Sequence, residues 1–393
     1  MVVQISLVDH GIYLDSPIAS AIQQIQPFFA DEVFSPTETP VFLRMRALVR
    51  MRLLVDQLPE GIQHIPVKPG RLPIANDGVV FYPFNSQSNI NAVTNRRAYH
   101  VLTLHGESNK LASNRPAARL YDYICIAGPI ARDRYIDAGI FTTAEVDQGR
   151  LVMVGDSFVQ RLQWIEPSAS SDDGALLYCP TWEGYGNGKD NYTSVSSQAG
   201  FKLCAKAARI VGSNTIIVKP HPYLGLLRQK LLIDFVRGVQ FLKSEGFIVK
   251  VALLDASRPL RLLAALWLRV VERIDETSQQ RHQIKLGITD VSGMEAIFLR
   301  QRIPFMTIRG QGEVVALLSD YYDKRTINTI DDPERQIKAF LDDGGRIDAK
   351  QRQLVFGWQD DELEAKSGNE RRKWLLKYVR SNPYWQPSEG KNK

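Results

Sequence analysis

His100–Lys110 reads HVLTLHGESNK, an apolar run that stops at His-Gly and continues in polar residues. Val101, Leu102, Thr103 and Leu104 have the character of a buried strand in a parallel sheet, where both faces are covered and the polar/apolar alternation is lost. Such a strand delivers His105 to its carboxyl end, and Gly106 lets backbone or ligand come close there. Ligands of open α/β sheets sit just outside the carboxyl ends of the strands. Two later stretches share the design. Thr215–Pro222, TIIVKPHP, places Lys219 and His221 at a strand end, and Ile284–Ser292, IKLGITDVS, does the same for Thr289, Asp290 and Ser292. The three ends are expected to meet at one cleft.

Outward from these strands, the chain alternates between two periodicities. Val2–Val8 reads as a first strand, and Asp15-Ser16-Pro17 opens a helix that runs to Phe29. Phe42–Leu58 is expected to be a second helix; its Arg44, Arg46, Arg50 and Arg52 gather on no single face, which favours a solvated helix over a membrane anchor. Strands are expected at Val79–Phe84, Tyr123–Gly128 and Leu151–Asp156, with helices opened by Pro116 and Pro129. Strands and helices alternating at this spacing make parallel βαβ units, hence a doubly wound sheet.

Ile165–Gly174, IEPSASSDDG, carries no large apolar residue after its isoleucine and reads as a linker. The alternation then restarts with strands at Ala175–Pro180, Thr215–Val218, Phe247–Leu253, Ile284–Thr289 and Ile303–Ile308, and a helix at Ala199–Val211. Arg258–Ile274 is expected to be an apolar, core-facing helix. Asp361–Arg380 ends the chain as a charged helix packed down by Trp358, Trp374 and Trp385. The expected division is an acceptor-side domain over 1–165, a nucleotide-donor domain over 174–350 and a helical extension over 351–393.

At 393 residues, 44% hydrophobic and 23% charged, the chain is globular and long enough for two cores. A net charge of +6 and a pI near 9.1 favour anionic partners such as nucleotides, phosphorylated substrates or an acidic membrane surface, without implying nucleic acid. Cys125, Cys179 and Cys204 form no CxxC pair, so they read as buried free thiols in a reducing compartment. The start MVVQISLVDHG has no basic n-region, and no apolar run has the length of a membrane span. The expected location is the cytoplasm, with membrane contact at most peripheral.

Four groups of residues can carry chemistry. Ser292-Gly293-Met294-Glu295 is a capping box at the start of an apolar helix, whose free N–H groups and dipole suit a phosphate that Gly293 would let approach; a well-made helix start is the rival reading. Lys219-Pro220-His221-Pro222 holds a cation and an imidazole on a stiff backbone, suited to charge developing on a diphosphate leaving group. His105 suits a general base, with Glu107 and Asp122 as alternatives. Pro180–Asp190, PTWEGYGNGKD, lacks the Walker spacing but offers Trp182 or Tyr185 for stacking on a ring. GxSxG, HExxH, acidic-pair and kinase signatures are absent from the sequence, which favours chemistry without metal or cofactor.

Taken in order, His105-Gly106, Pro180-Thr181-Trp182-Glu183-Gly184, Lys219-Pro220-His221-Pro222 and Thr289-Asp290-Val291-Ser292 resemble the CDP-glycerol glycerophosphotransferase family, the teichoic acid primases and polymerases. The resemblance spans Tyr99–Arg309. It implies the GT-B architecture of two facing Rossmann-like domains, here with a C-terminal helix, a nucleotide donor held by the C-terminal domain, and lipid-linked acceptors at the inner face of the membrane. By that resemblance His105 is the general base and His221 assists at the donor phosphates. Thr289, Asp290 and Ser292 map to the donor-phosphate loop, and Gly293, Lys219, Thr181 and Trp182 are also expected on the donor side. Gly106, Glu107, Ser108 and Lys110 fall on the acceptor side. The chain departs from the family in having Glu-Ser-Asn-Lys after His105-Gly106, where Thr-Pro-Leu-Lys is common, and Gly293 where a second serine is common.

The expected activity is transfer of glycerol phosphate or a similar polyol phosphate from a CDP-linked donor to a hydroxyl of a surface glycan or lipid-linked acceptor. A GT-B glycosyltransferase using a UDP- or CMP-sugar, a nucleotide-sugar epimerase that acts without an acceptor, and a nucleotide-binding scaffold without turnover are the alternatives.

Overall fold

Short apolar runs become central strands here because each buries both of its faces. A computed structural model of the chain describes residues 7–15, 20–46, 48–68, 70–110, 115–169, 174–184, 191–225, 227–252, 272–274, 276, 280–309, 321–322, 325–327, 332–345 and 349–382. The chain divides into two units: Met1–Glu107, Asn114–Gln160 and Gln353–Lys393 form the first, and Ser108–Ser113 with Arg161–Arg352 form the second.

The first unit contains β1 (Val8–Leu14), β2 (Val41–Arg44), β3 (His64–Val67), β4 (Ile74–Tyr82), β5 (Tyr99–Leu102), β6 (Tyr123–Ile126) and β7 (Leu151–Met153). They form one parallel sheet in the order β3-β2-β1-β4-β5-β6-β7. Alternate residues enter two cores. Ile12, Val41, Leu43, Val79, Phe81, Val101, Tyr123 and Cys125 pack on one face, under Leu375, Leu376 and Val379 of the terminal helix Gly368–Ser381. Tyr13, Phe42, Val80, Tyr82, Leu102 and Ile124 pack on the other.

That alternation corrects the expected helix at Phe42–Leu58. Val41 and Leu43 face one core and Phe42 the other, a period of two that only a strand provides. The helix is confined to Leu48–Val55. Arg44 and Arg46, expected on a solvated helix, both donate to the buried Asp15 carboxylate, at 2.7 Å each. The first strand begins at Val8 rather than ending there, and residues 2–6 of its expected span lie outside the described residues. The terminal helix is broken. A short 3-10 turn, Asp361–Ala365, precedes Gly368–Ser381, which opens with its own reciprocal cap between Ser367 and Glu370. Trp374 stacks on Tyr378, and Trp358 lies under the Arg371 guanidinium; Trp385 is outside the described residues.

The second unit contains β8 (Ile165–Pro167), β9 (Ala175–Cys179), β10 (Thr215–Val218), β11 (Ile248–Ala252), β12 (Glu272–Ile274), β13 (His282–Asp290), β14 (Phe305–Ile308) and β15 (Thr326–Ile327). The order is β12-β11-β10-β9-β13-β14-β15, with β8 beside β13, and every pairing is parallel. Helices Ala199–Ile210 and Lys230–Ser244 cover one face through Phe201, Cys204, Ala208, Phe235 and Val239. The expected linker at Ile165–Gly174 starts as a strand, because Ile165–Pro167 pairs with His282–Ile284; residues 170–173 are outside the described set. The expected helix Arg258–Ile274 ends as β12, and its residues 258–271 are likewise outside it.

The α/β class and the two doubly wound sheets expected from the sequence are what the structure contains. The three cysteines are buried and unbridged. Among the described residues, no helix is long and apolar enough to cross a membrane.

Candidate functional site

In the second unit the chain leaves β9 to build β10, β11 and β12 on one side, and enters β13 to build β14 and β15 on the other. The crevice of a doubly wound sheet forms at such a reversal, at the carboxyl ends of the two strands. Thr181 follows β9 and Asp290 ends β13. The Thr181 N–H donates to Asp290 Oδ2 at 2.7 Å, and the Ser194 N–H donates to the same oxygen at 3.2 Å. Asp290 is fully buried, and its Oδ1 has no hydrogen-bond partner. Burial is the main cause that pushes its carboxyl up to about 6; the bonds from Ser194 and Thr181 and the charge of Lys110 pull the other way.

Thr289 is also fully buried, and its hydroxyl is taken up internally, donating to the Cys179 carbonyl at 3.1 Å and meeting Ser292 Oγ at 3.0 Å. Its place is beneath the crevice rather than in it. The capping box at Ser292 forms by half. Glu295 Oε1 accepts from the Ser292 N–H at 3.1 Å, while Ser292 Oγ accepts from Met294 N–H at 3.2 Å instead of from Glu295. Gly293 precedes the helix Met294–Gln301. Glu295 is buried in the first turn and also accepts from the Tyr322 hydroxyl at 2.8 Å and from Asn109 Nδ2 at 3.4 Å. Burial is the largest cause that pushes its carboxyl up to about 7.

Next to β9, the turn after β10 carries Lys219 and His221. Lys219 Nζ is closed in an ion pair with Glu276, 2.6 and 2.8 Å from its two oxygens, and both side chains are only 11% exposed. The cation expected to serve donor phosphates is therefore neutralised by a carboxylate. His221 accepts the Tyr223 N–H on Nδ1 at 3.0 Å, and its ring stacks on Trp182 with centroids 5.7 Å apart and planes 19° apart. Glu183, buried beside Trp182, accepts from the N–H groups of Gly225, Leu227 and Arg228 at 2.8–3.0 Å. This carboxylate ties the Thr181–Gly184 turn to the loop that follows His221. Tyr185 lies outside the described residues.

Lys110 and Ser108, expected on the acceptor side, belong to the second unit. Lys110 Nζ donates to Thr181 Oγ1 at 2.5 Å, and neighbouring Asn109 donates to the Tyr322 hydroxyl at 3.2 Å as well as to Glu295.

In the first unit the reversal lies between β1 and β4. Pro83 follows β4, and its carbonyl accepts from His105 Nδ1 at 2.9 Å, while the His105 ring packs on Phe84 with centroids 4.6 Å apart. This bond places the proton on Nδ1 and leaves Nε2 as the lone-pair nitrogen. Leu104 adopts a left-handed backbone, φ 61°, which turns the chain sharply before His105. Burial holds the imidazole below its ordinary 6.5, opposed by the Pro83 bond. The alternative bases are committed elsewhere. Glu107 is paired with the buried Arg134, and Asp122 accepts from Arg96 at 2.6 Å and from the His100 N–H at 2.8 Å. A shallow crevice at the carboxyl ends of β5, β6 and β7 is lined by Thr103, Gly106, Glu107, Ala127 and Gly155.

Sequence reading missed Glu183, Ser194, Asn109 and Tyr322. Glu183 lies inside a quoted motif and was legible as a carboxylate after Trp182. The others carry no local pattern, since each matters through a partner distant in the chain.

No protein family and no curated protein sequence matches the chain. Solved structures do. A putative UDP-N-acetylglucosamine 2-epimerase from Listeria monocytogenes shares 11% identity over 98% of this chain and 99% of its own, with a TM-score of 0.49. The UDP-GlcNAc 2-epimerase from Neisseria meningitidis bound to UDP-GlcNAc gives 9%, 95% and 99% with 0.46, and the α,α-trehalose 6-phosphate synthase from Burkholderia multivorans gives 10%, 96% and 99% with 0.46. At these identities and TM-scores, activity and substrate rest on the chain's own residues.

Proposed function

We propose that this chain is a GT-B-type transferase that takes a nucleotide-linked sugar in its second unit and passes the sugar to a hydroxyl of a glycan or lipid-linked acceptor. The observation that carries the reading is the cluster of Thr181, Ser194, Asp290 and Ser292 at the reversal of the second sheet, with His221 and Trp182 beside it. Polar groups at such a crevice, together with the helix start at Gly293, suit a diphosphate. His105, with Nε2 as its acceptor nitrogen, supplies the base.

In the transfer, Nε2 takes the proton of the acceptor hydroxyl. The acceptor oxygen bonds to the anomeric carbon of the sugar, the bond from that carbon to the diphosphate oxygen breaks, and a nucleoside diphosphate leaves. The Gly293 N–H before the helix Met294–Gln301, the Ser292 hydroxyl and His221 stabilise the charge that develops on it.

Transfer of a polyol phosphate from a CDP-linked donor is the second reading, supported by the order of the four motifs between His105 and Ser292. The acceptor oxygen would then attack phosphorus and release a nucleoside monophosphate. With a lipid-linked acceptor, either activity would run at the inner membrane face.

The test is a thermal-shift panel of UDP, CDP, CMP, GDP, a UDP-sugar, a CMP-sugar and CDP-glycerol, since a ligand that binds only the folded state raises the melting temperature. UDP or the UDP-sugar is expected to stabilise most, and dominance of the CMP-sugar would replace the diphosphate leaving group by a monophosphate. Dominance of CDP-glycerol would favour the second reading, and no stabilisation by any nucleotide would sink both.

A further inference from the structure

Lys110 follows His105 closely in sequence, in the stretch after β5, yet it belongs to the second unit. Three observations fix its place there. Its ammonium donates to the Thr181 hydroxyl at 2.5 Å, and it lies 6.0 Å from the centroid of the Tyr192 ring. Thr181 is the residue whose N–H bonds Asp290, so Lys110 sits above the junction of β9 and β13, the reversal of the sheet. Its neighbour Asn109 is bonded to Glu295 and to the Tyr322 hydroxyl, and Glu295 also holds the Ser292 N–H. The backbone that presents Lys110 is thus tied to the start of the helix Met294–Gln301.

Charge makes this placement matter. The crevice floor is a carboxyl group, Asp290, so a diphosphate arriving over Thr181 needs a cation beside it. Lys219 does not answer that need, because Glu276 already neutralises it in a pair that is nearly closed to solvent. Lys110 lies at the junction itself, on the Thr181 hydroxyl. A lysine ammonium on a flexible four-carbon stem can turn from a hydroxyl to a phosphate oxygen, and a bond to an anionic acceptor is the stronger of the two.

We propose that Lys110 is the cation that binds the diphosphate of the nucleotide-linked donor, presented to the second unit by the bonds of Asn109 to Glu295 and Tyr322. This rests on the reading of the second unit as the nucleotide site. It moves Lys110 from the acceptor side to the donor side, and it makes the segment after His105 a donor-binding element.

The experiment compares UDP and CDP, titrated by calorimetry, with uridine and cytidine, followed by saturation-transfer NMR, on wild type, Lys110→Met, Lys110→Gln, Lys110→Arg and Lys219→Met. For whichever diphosphate the wild type binds, Lys110→Met and Lys110→Gln are expected to weaken binding at least about tenfold, the size of one lost charge-assisted bond. The nucleoside should bind as before, Lys110→Arg should recover most of the loss, and Lys219→Met should lose less than Lys110→Met. Wild-type binding should also weaken with salt more steeply than that of Lys110→Met. Unchanged diphosphate affinity in Lys110→Met overturns the proposal while the nucleotide-site reading stands, and so does an equal loss for nucleoside and diphosphate. A wild type that binds no diphosphate overturns both.

Discussion

Thr181 and Asp290, 109 residues apart in the chain, are joined by a 2.7 Å hydrogen bond from the Thr181 backbone N–H to Asp290 Oδ2. The bond closes the carboxyl ends of β9 and β13 over a buried acid, and the properties of that acid are measurable.

Burial pushes the Asp290 carboxyl up to about 6 from 3.8, so the folded protein favours its neutral form. The stability this contributes is complete below about pH 4, is lost as pH rises, and has gone above about pH 6, on the order of 3 kcal/mol in all. Asp290→Asn does not titrate. The melting temperature of Asp290→Asn minus that of the wild type should therefore climb between about pH 4 and about pH 6 and then level off. A difference that stays flat or falls across that window would contradict the assignment.

His105 Nδ1 is occupied by the Pro83 carbonyl, and burial holds the imidazole below its ordinary 6.5. The neutral ring that a base requires therefore persists to more acidic pH. The acid limb of kcat/KM should lie below pH 6.5 in wild type. His105→Ala should abolish that limb and lower kcat about 100-fold or more, with little change in donor KM. A limb above the ordinary imidazole range, or wild-type turnover in His105→Ala, would remove His105 from the chemistry.

Glu183 holds three backbone N–H groups from the loop before the helix Lys230–Ser244. Glu183→Ala leaves all three without an acceptor and should cost about 3 kcal/mol, read as a lower urea midpoint. Glu183→Gln keeps an acceptor oxygen and should cost less. Equal midpoints for wild type and Glu183→Ala would show that solvent satisfies these donors.

Gly155 lies under Trp358 with φ 55°, and a Cβ there would stand 2.1 Å from the indole. The Gly155 N–H also donates to the Gly357 carbonyl at 2.9 Å. Gly155→Ala should push the indole off and destabilise the first unit by about 1–3 kcal/mol, with a red-shifted tryptophan emission. An unshifted spectrum with an unchanged melting temperature would mean that the Val355–Gln359 segment can move aside freely.

Sequence alone was enough to locate the central strands and the class of the fold. Val101–Leu102 and Thr215–Val218 are mostly apolar runs of the kind that strands buried on both faces need, Ile284–Thr289 is a strand with Ile284, Leu286 and Ile288 at alternate positions, and such patterns are local. Their alternation with helices implied parallel doubly wound sheets, and the strand ends marked His105, His221, Asp290 and Ser292. Val41–Arg44 was misread because a short apolar run followed by arginines is compatible with either period until its neighbours are known. The two arginines are explained only by Asp15, 29 and 31 residues away.

The tertiary structure decided how charges are used, since an ion pair depends on which residues meet in space. Lys219 is neutralised by Glu276, 57 residues on, and no pattern around either announces the other. Asn109 reaches Glu295 across 186 residues, and Lys110 reaches Thr181 across 71. Local sequence sets periodicity and strand ends because those follow from neighbouring side chains. The partner of each buried charge follows from sheet order, which exists only once the strands have assembled.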